Sequence, residues 1–180
     1  MPNWVENEVS ITGDNKILRE IVEKYCTEFE YDKPEVFDLF ETGEIKPDKQ
    51  TTKITCLDFN KIIPMPEGLK EITAPNRVNP EEVTKKYGYP DWYEWRLANW
   101  GVKWNVNPYL DVQSNDGELI FSFDTAWSTP DGVLSELSKK YPDITIVNNC
   151  NEEAGFFAGK IIYKNGEVTD ETAPVDNTEE

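Results

Sequence analysis

Val5-Glu6-Asn7-Glu8-Val9-Ser10-Ile11-Thr12-Gly13-Asp14-Asn15-Lys16-Ile17-Leu18-Arg19-Glu20-Ile21-Val22 changes its hydrophobic period partway along. Val5, Asn7, Val9 and Ile11 alternate with Glu6, Glu8, Ser10 and Thr12, the period-two pattern of a strand with one buried face. Gly13-Asp14 then turns the chain, and Asp14 is placed to cap a helix. Beyond it Ile17, Leu18, Ile21, Val22, Tyr25, Cys26 and Phe29 recur at three- and four-residue spacing, which predicts an amphipathic helix to about Phe29. A strand that feeds directly into such a helix opens a layered α+β fold.

Working outward, residues 30–51 are acidic and broken by Pro34, Gly43 and Pro47, with a short helix expected around Glu35–Phe40. Lys53 to Phe59 reads as a second strand. From Glu67 to Asn105 the signals turn helical, interrupted by Pro75, Pro80, Gly88, Pro90 and Gly101. Leu110–Gln113 and Leu119–Phe123 read as strands across an Asn115-Asp116-Gly117 turn. Thr129-Pro130-Asp131 opens a helix with Asp131 as its expected cap. Its apolar face is Val133, Leu134 and Leu137, and Lys139-Lys140 suit its C-terminus. Ile144–Val147 and Phe156–Tyr163 read as an antiparallel pair. Without the insertion the order is that of a ferredoxin-like sandwich, an antiparallel sheet with two helices on one face. The expected organisation is one domain over 1–167, a Trp-rich helical insertion at about 67–105, and an acidic flexible tail over 168–180.

Composition narrows the function classes. The 180 residues include no histidine, which removes the commonest general base and metal ligand together. Cys26, Cys56 and Cys150 are far apart and odd in number, which argues against a disulfide framework or a thiolate zinc site and for a reducing compartment. No nucleotide-binding or hydrolase fingerprint is present. The opening Met1–Glu6 has neither a basic region nor an apolar stretch, so no signal peptide is expected. No apolar run is long enough for a membrane span. A cytoplasmic binding protein, not an enzyme, is therefore expected, with no cofactor and no bound metal.

The net charge of −17 is unevenly distributed. Residues 1–50 carry 13 acids against 6 bases, and residues 51–100 carry 7 of each. The last eighty are acidic again. A field of this sign repels a phosphate backbone, so direct DNA or RNA binding is not expected. It either serves solubility or engages a protein with a basic surface.

Five stretches also carry a resemblance. They are Met1-Pro2-Asn3-Trp4 with Asn7, Phe59-Asn60-Lys61-Ile62-Ile63-Pro64-Met65-Pro66, and Trp95 through Trp104. Phe123-Asp124-Thr125-Ala126-Trp127-Ser128-Thr129-Pro130 and Glu152-Glu153-Ala154-Gly155-Phe156 complete the set. In this order they resemble the YubB-type ferredoxin-like proteins of phages and plasmids. The resemblance implies the ferredoxin-like fold and a mobile-element origin, with little about activity. It also implies a cysteine after or in place of the opening tryptophan; Trp4-Val5 here removes any thiol role at that position.

Two candidate sites follow. The first is acidic: Glu20, Glu23, Glu28, Glu30, Asp32, Glu35, Asp38, Glu41 and Glu44 accumulate on and after the first helix. They are expected to fill the basic groove of a host nucleic-acid-handling complex, as an anti-CRISPR-like counter-defence inhibitor would. The second is the tryptophan segment, with Trp92, Trp95, Arg96, Asn99, Trp100 and Trp104 as a platform for a small ligand or a nucleic acid. Against it stands burial, because tryptophans usually anchor cores. Arg96 has Asp124 as a candidate ion-pair partner. Glu152-Glu153, with Asp124 or Asp143, is a candidate carboxylate set for a divalent ion, and carboxylate-dependent catalysis is the remaining alternative.

Overall fold

The computed structural model of the chain describes residues 2–32 and 51–175. The quoted opening folds as its two periods require. Strand β1 spans Trp4–Thr12 and helix α1 Asn15–Tyr25. Asp14 accepts the Lys16 N–H at 2.8 Å, satisfying one of the helix's orphan donors. Asn15 then ties this turn to the Asn115-Asp116-Gly117 turn, donating to Asp116 at 2.6 Å and accepting from the Gly117 N–H at 2.8 Å.

Strands β4 (Asn107–Asn115), β5 (Glu118–Ala126), β6 (Thr145–Glu152), β7 (Ala158–Lys164) and β8 (Glu167–Ala173) join β1 in one sheet, in the order β4-β5-β1-β6-β7-β8. Every neighbouring pair is antiparallel. Helix α6 (Asp131–Lys140) connects β5 to β6. The sequence β1-α1-β4-β5-α6-β6, with β1 flanked by β5 and β6, is the ferredoxin-like arrangement. β7 and β8 extend the sheet. Val9, Ile11, Leu119, Phe121, Phe123 and Ile146 face Leu18 and Ile21 of α1 and Val133, Leu134 and Leu137 of α6, and all are buried.

Several expected boundaries move. Helix α1 ends at Tyr25, not Phe29, because Cys26 is already extended (φ −97°, ψ 154°) while its N–H still closes the helix on Val22. Cys26–Asp32 is strand β2, paired in unbroken register with β3, Thr51–Leu57. Phe29 fits a helical stripe by spacing, but the alternation Thr27, Phe29, Tyr31 fits a strand as well, and pairing with β3 decides. The Lys53–Phe59 strand therefore belongs to a separate two-stranded sheet, and the second strand of the ferredoxin-like core is β4. Phe59 opens the short helix α2, Phe59–Ile62, capped by Asp58. By sheet membership the segment outside the core runs from 26 to 106, not 67–105. Residues 168–173 are strand and not tail. Asp131 is the first residue of α6 and makes no cap; its carboxylate accepts from Thr129 and from the Tyr163 hydroxyl.

The rest of the inserted segment is α3 (Glu67–Lys70), α4 (Pro80–Tyr87) and α5 (Trp92–Trp100). It is fastened to the core by rings and by close backbone contact. Phe59 meets Trp100 and Phe123 edge-on, at 6.0 and 5.9 Å between centroids. The Trp100 indole N–H donates to the Ile63 carbonyl at 2.9 Å. A Cβ on Gly132 of α6 would lie 2.2 Å from the Asn99 carbonyl oxygen, so α5 and α6 touch only because glycine is there. Among the described residues no helix is long and apolar enough to cross a membrane.

Candidate functional site

The helices cover one face of the sheet, and the register shows what the other face carries. Directly opposed residues in an antiparallel pair share a face. One row therefore reads Asn107, Asp124, Glu6, Asn151, Ala158, Ala173. The next reads Leu110, Ser122, Glu8, Asn149, Lys160, Glu171. Glu6, Glu8, Asn149 and Asn151 are exposed, and Asp124 is half-buried.

Glu6 and Asp124 are thus like charges directly opposite each other on adjacent strands, an arrangement that costs stability. Partial burial, then Glu6, then Glu153 push the Asp124 carboxyl up to about 6. Glu153 is held at the start of β1, accepting the Trp4 N–H at 2.8 Å. Tyr109, at an irregularity in the β4–β5 register, is raised by burial and by Asp124, Glu6 and Glu8. Among the described residues none of Glu6, Glu8, Asp124 and Glu153 is in an ion pair. Lys160, the one cation in the Glu8 row, is engaged by Glu171 at 3.0 Å.

Aromatic rings rim this end of the sheet. Trp4 packs against Trp104 at 6.1 Å between centroids. Trp127 follows β5 with φ +72°, a conformation costly for a bulky side chain, yet is 55% exposed. Its N–H donates to the Asn3 carbonyl. The turn is locked as Thr125 donates to the Ser128 carbonyl and Ser128 to that of Gly101. Phe156 is 70% exposed on the β6–β7 loop. The Glu152 carboxylate holds that loop by accepting from the Ala154 and Phe156 N–H groups, both at 3.0 Å.

Four of the five stretches that carried the resemblance therefore meet around the start of β1. Asn7 is the polar pin beneath them. It is fully buried, donates to Thr125 and the Val5 carbonyl, and accepts from Asn148 at 2.9 Å.

The expected acidic site is more scattered. Glu20 is half-buried and accepts from Lys24 at 2.7 Å and from the Tyr141 hydroxyl at 2.9 Å, which lower its pKa. Glu28 pairs with Lys53 at 3.0 Å. Glu23 and Glu30 are exposed, and Asp32 ends β2 opposite Thr51. Glu35, Asp38, Glu41 and Glu44 lie outside the described residues, as does the helix expected around Glu35–Phe40.

In the tryptophan segment, Trp95 and Trp100 are core residues, 6% and 1% exposed. Asn99 donates to the Trp95 carbonyl within the helix. Arg96 lies between the Trp92 and Trp100 rings, 5.0 and 4.9 Å from their centroids, and donates to the Lys103 carbonyl. It does not pair with Asp124, whose charged neighbours are carboxylates. Trp104 is on the surface, beneath the Lys103 ammonium at 4.4 Å. Glu152 points inward and Glu153 outward, so they do not converge. Among the described residues no group of three or more His, Cys, Asp or Glu could hold a metal ion.

No curated protein matches the chain. Among solved structures, the protein api92 from Yersinia pseudotuberculosis is similar, with a TM-score of 0.60 at 12% identity over 100% of both chains. At that identity the likeness is one of fold. Residues 99–180, which include β4 through β8 and α6, match the family model described as the ferredoxin-like domain in Api92-like proteins.

Proposed function

We propose that this protein acts by binding, without catalysis, and that the open face of its sheet at the Glu6–Asp124 end receives cationic side chains of a protein partner. The carrying observation is the Asp124 carboxyl, raised in pKa, with Glu6 directly opposite it, Glu153 beside it and no counter-cation in an ion pair with any of the three among the described residues. A lysine or arginine brought by a partner relieves that repulsion and gains charge-assisted hydrogen bonds. The exposed Trp127 and Phe156 add ring faces that attract the same cations and anchor the interface, with the packed Trp4–Trp104 pair at its border. A surface that takes up arginine and lysine matches a protein groove built for nucleic acid. With the resemblance to phage and plasmid proteins, this supports an accessory factor of a mobile element whose task is counter-defence by occupying such a groove.

The test is comparative capture from host lysate by the wild type and by the Glu6→Gln/Asp124→Asn/Glu153→Gln variant, read by quantitative mass spectrometry. The reading expects a nucleic-acid-handling complex retained by the first and lost by the second. Identical retained sets would end it.

A further inference from the structure

A second concavity lies on the inserted segment and shares no lining residue with Glu6, Asp124 or Glu153. It is a cavity of about 310 Å³ between the Ala74–Pro75 turn and the first turn of α5, walled by Pro75, Trp92 and Tyr93 and bordered by Lys103. That volume is at the lower end of small-molecule sites.

The walls are fixed before any ligand arrives. Asp91 is 3% exposed, and its carboxylate is fully engaged. One oxygen accepts from the Tyr93 and Glu94 N–H groups at 3.0 and 3.1 Å, and the other from the Asn76 N–H at 3.1 Å. This joins the turn to the helix. Asn76 adds a second tie, donating to the Pro90 carbonyl at 2.9 Å. The Trp92 and Tyr93 rings stand edge to face, 5.9 Å apart at 88°, so each keeps its orientation.

The polar groups left over decide the ligand. The Lys103 ammonium sits 5.8 Å over the Tyr93 ring and 4.4 Å over Trp104, and among the described residues it forms no ion pair. Its backbone is held by Arg96, which donates to the Lys103 carbonyl. Lys103 thus offers N–H donors at the border of an aromatic slot. Asp91 and Glu94 also line the cavity; Asp91 is satisfied by its three N–H donors, and Glu94 offsets the single charge of Lys103, so a second negative charge on a ligand is disfavoured.

We propose that this cavity binds a small, flat organic monoanion, its ring on the Trp92–Tyr93 wall and its carboxylate on Lys103. None of Glu6, Asp124 and Glu153 lines it.

The probe is 2-naphthoate, followed by calorimetry and by the Trp92 indole N–H resonance. Saturable one-to-one binding is expected. It should weaken about tenfold or more, some 1.4 kcal/mol, in Lys103→Met, and stay within about threefold in Lys103→Arg, which shows that a fold defect is not the cause. The neutral 2-naphthalenemethanol and the dianionic 2-naphthyl phosphate should both bind less well, and Glu6→Gln/Asp124→Asn/Glu153→Gln should bind the probe as the wild type does. Absence of saturation, equal binding to folded Lys103→Met, or preference for the alcohol or the phosphate would overturn the proposal.

Discussion

Asp124 has a titration that tests the site directly. Its carboxyl is raised from 3.8 to about 6 by burial, Glu6 and Glu153, so the folded chain holds that proton more tightly than the unfolded chain. The associated stability is fully present below about pH 3.8 and is lost as pH rises through about 6. Asp124→Asn should therefore raise the melting temperature at pH 7.5. The gain is of the order of a cross-strand like-charge pair, up to about 1 kcal/mol, or a few degrees for a chain of this size. By pH 4 the advantage should shrink toward zero. Calorimetry of both proteins across pH 4–8 checks this, and a constant difference would show that the carboxylate is unperturbed. Trp100 is the contrasting residue. Its ring is 1% exposed between Phe59 and Trp95, so Trp100→Ala should cost about 3–5 kcal/mol by denaturant unfolding. A cost below about 1 kcal/mol would mean that the ring does not anchor the inserted segment.

At the scale of elements, β8 is a strand that the sequence reading assigned to the tail. Its side chains are nearly all exposed, so it has no apolar alternation to betray it. What it supplies is seven residues of pairing that cover the edge of β7, including the fully buried Tyr163. Gly159 marks how close that pairing is: at φ +147°, a Cβ there would lie 2.6 Å from the Glu171 carbonyl oxygen. Removing 167–180 should lower the melting temperature by at least about 5 °C and leave an unprotected edge prone to association. An unchanged melting profile and a monomeric elution would show that β8 is dispensable. Gly159→Ala should destabilise as well, through strain and contact with β8.

The same physics explains what was legible. β1, α1, β5, α6 and the β4–β5 hairpin announce themselves because each buries one face and turns on Gly or Asp. β2 did not, because Cys26 and Phe29 satisfy a three-residue and a two-residue period alike, and only pairing with β3 decides. The site was half visible. Glu6 and Glu8 read as the outward residues of β1, but their facing Asp124 requires strand register, which is a long-range property. Trp127 gave no local sign of its positive φ.

For the whole molecule, charge and fold combine. The −17 net charge is partly neutralised locally, at Glu20, Glu28, Glu67, Glu136 and Glu171, by lysines. On the open face, no lysine or arginine among the described residues neutralises the Glu6–Asp124 end in this way. The central claim is that this end, and not acidity at large, receives cations. A nuclear magnetic resonance titration with a deca-arginine peptide, at about 20 and 300 mM salt, tests it most directly. The account predicts shifts concentrated on Glu6, Glu8, Tyr109, Asp124 and Glu153 and on the Trp4, Trp104 and Trp127 indoles. Affinity should fall about tenfold or more in Glu6→Gln/Asp124→Asn/Glu153→Gln, but much less in Glu23→Gln/Glu28→Gln/Glu30→Gln, which removes as many charges from α1 and β2. Shifts spread over all acidic surfaces, with equal losses in the two variants, would contradict it.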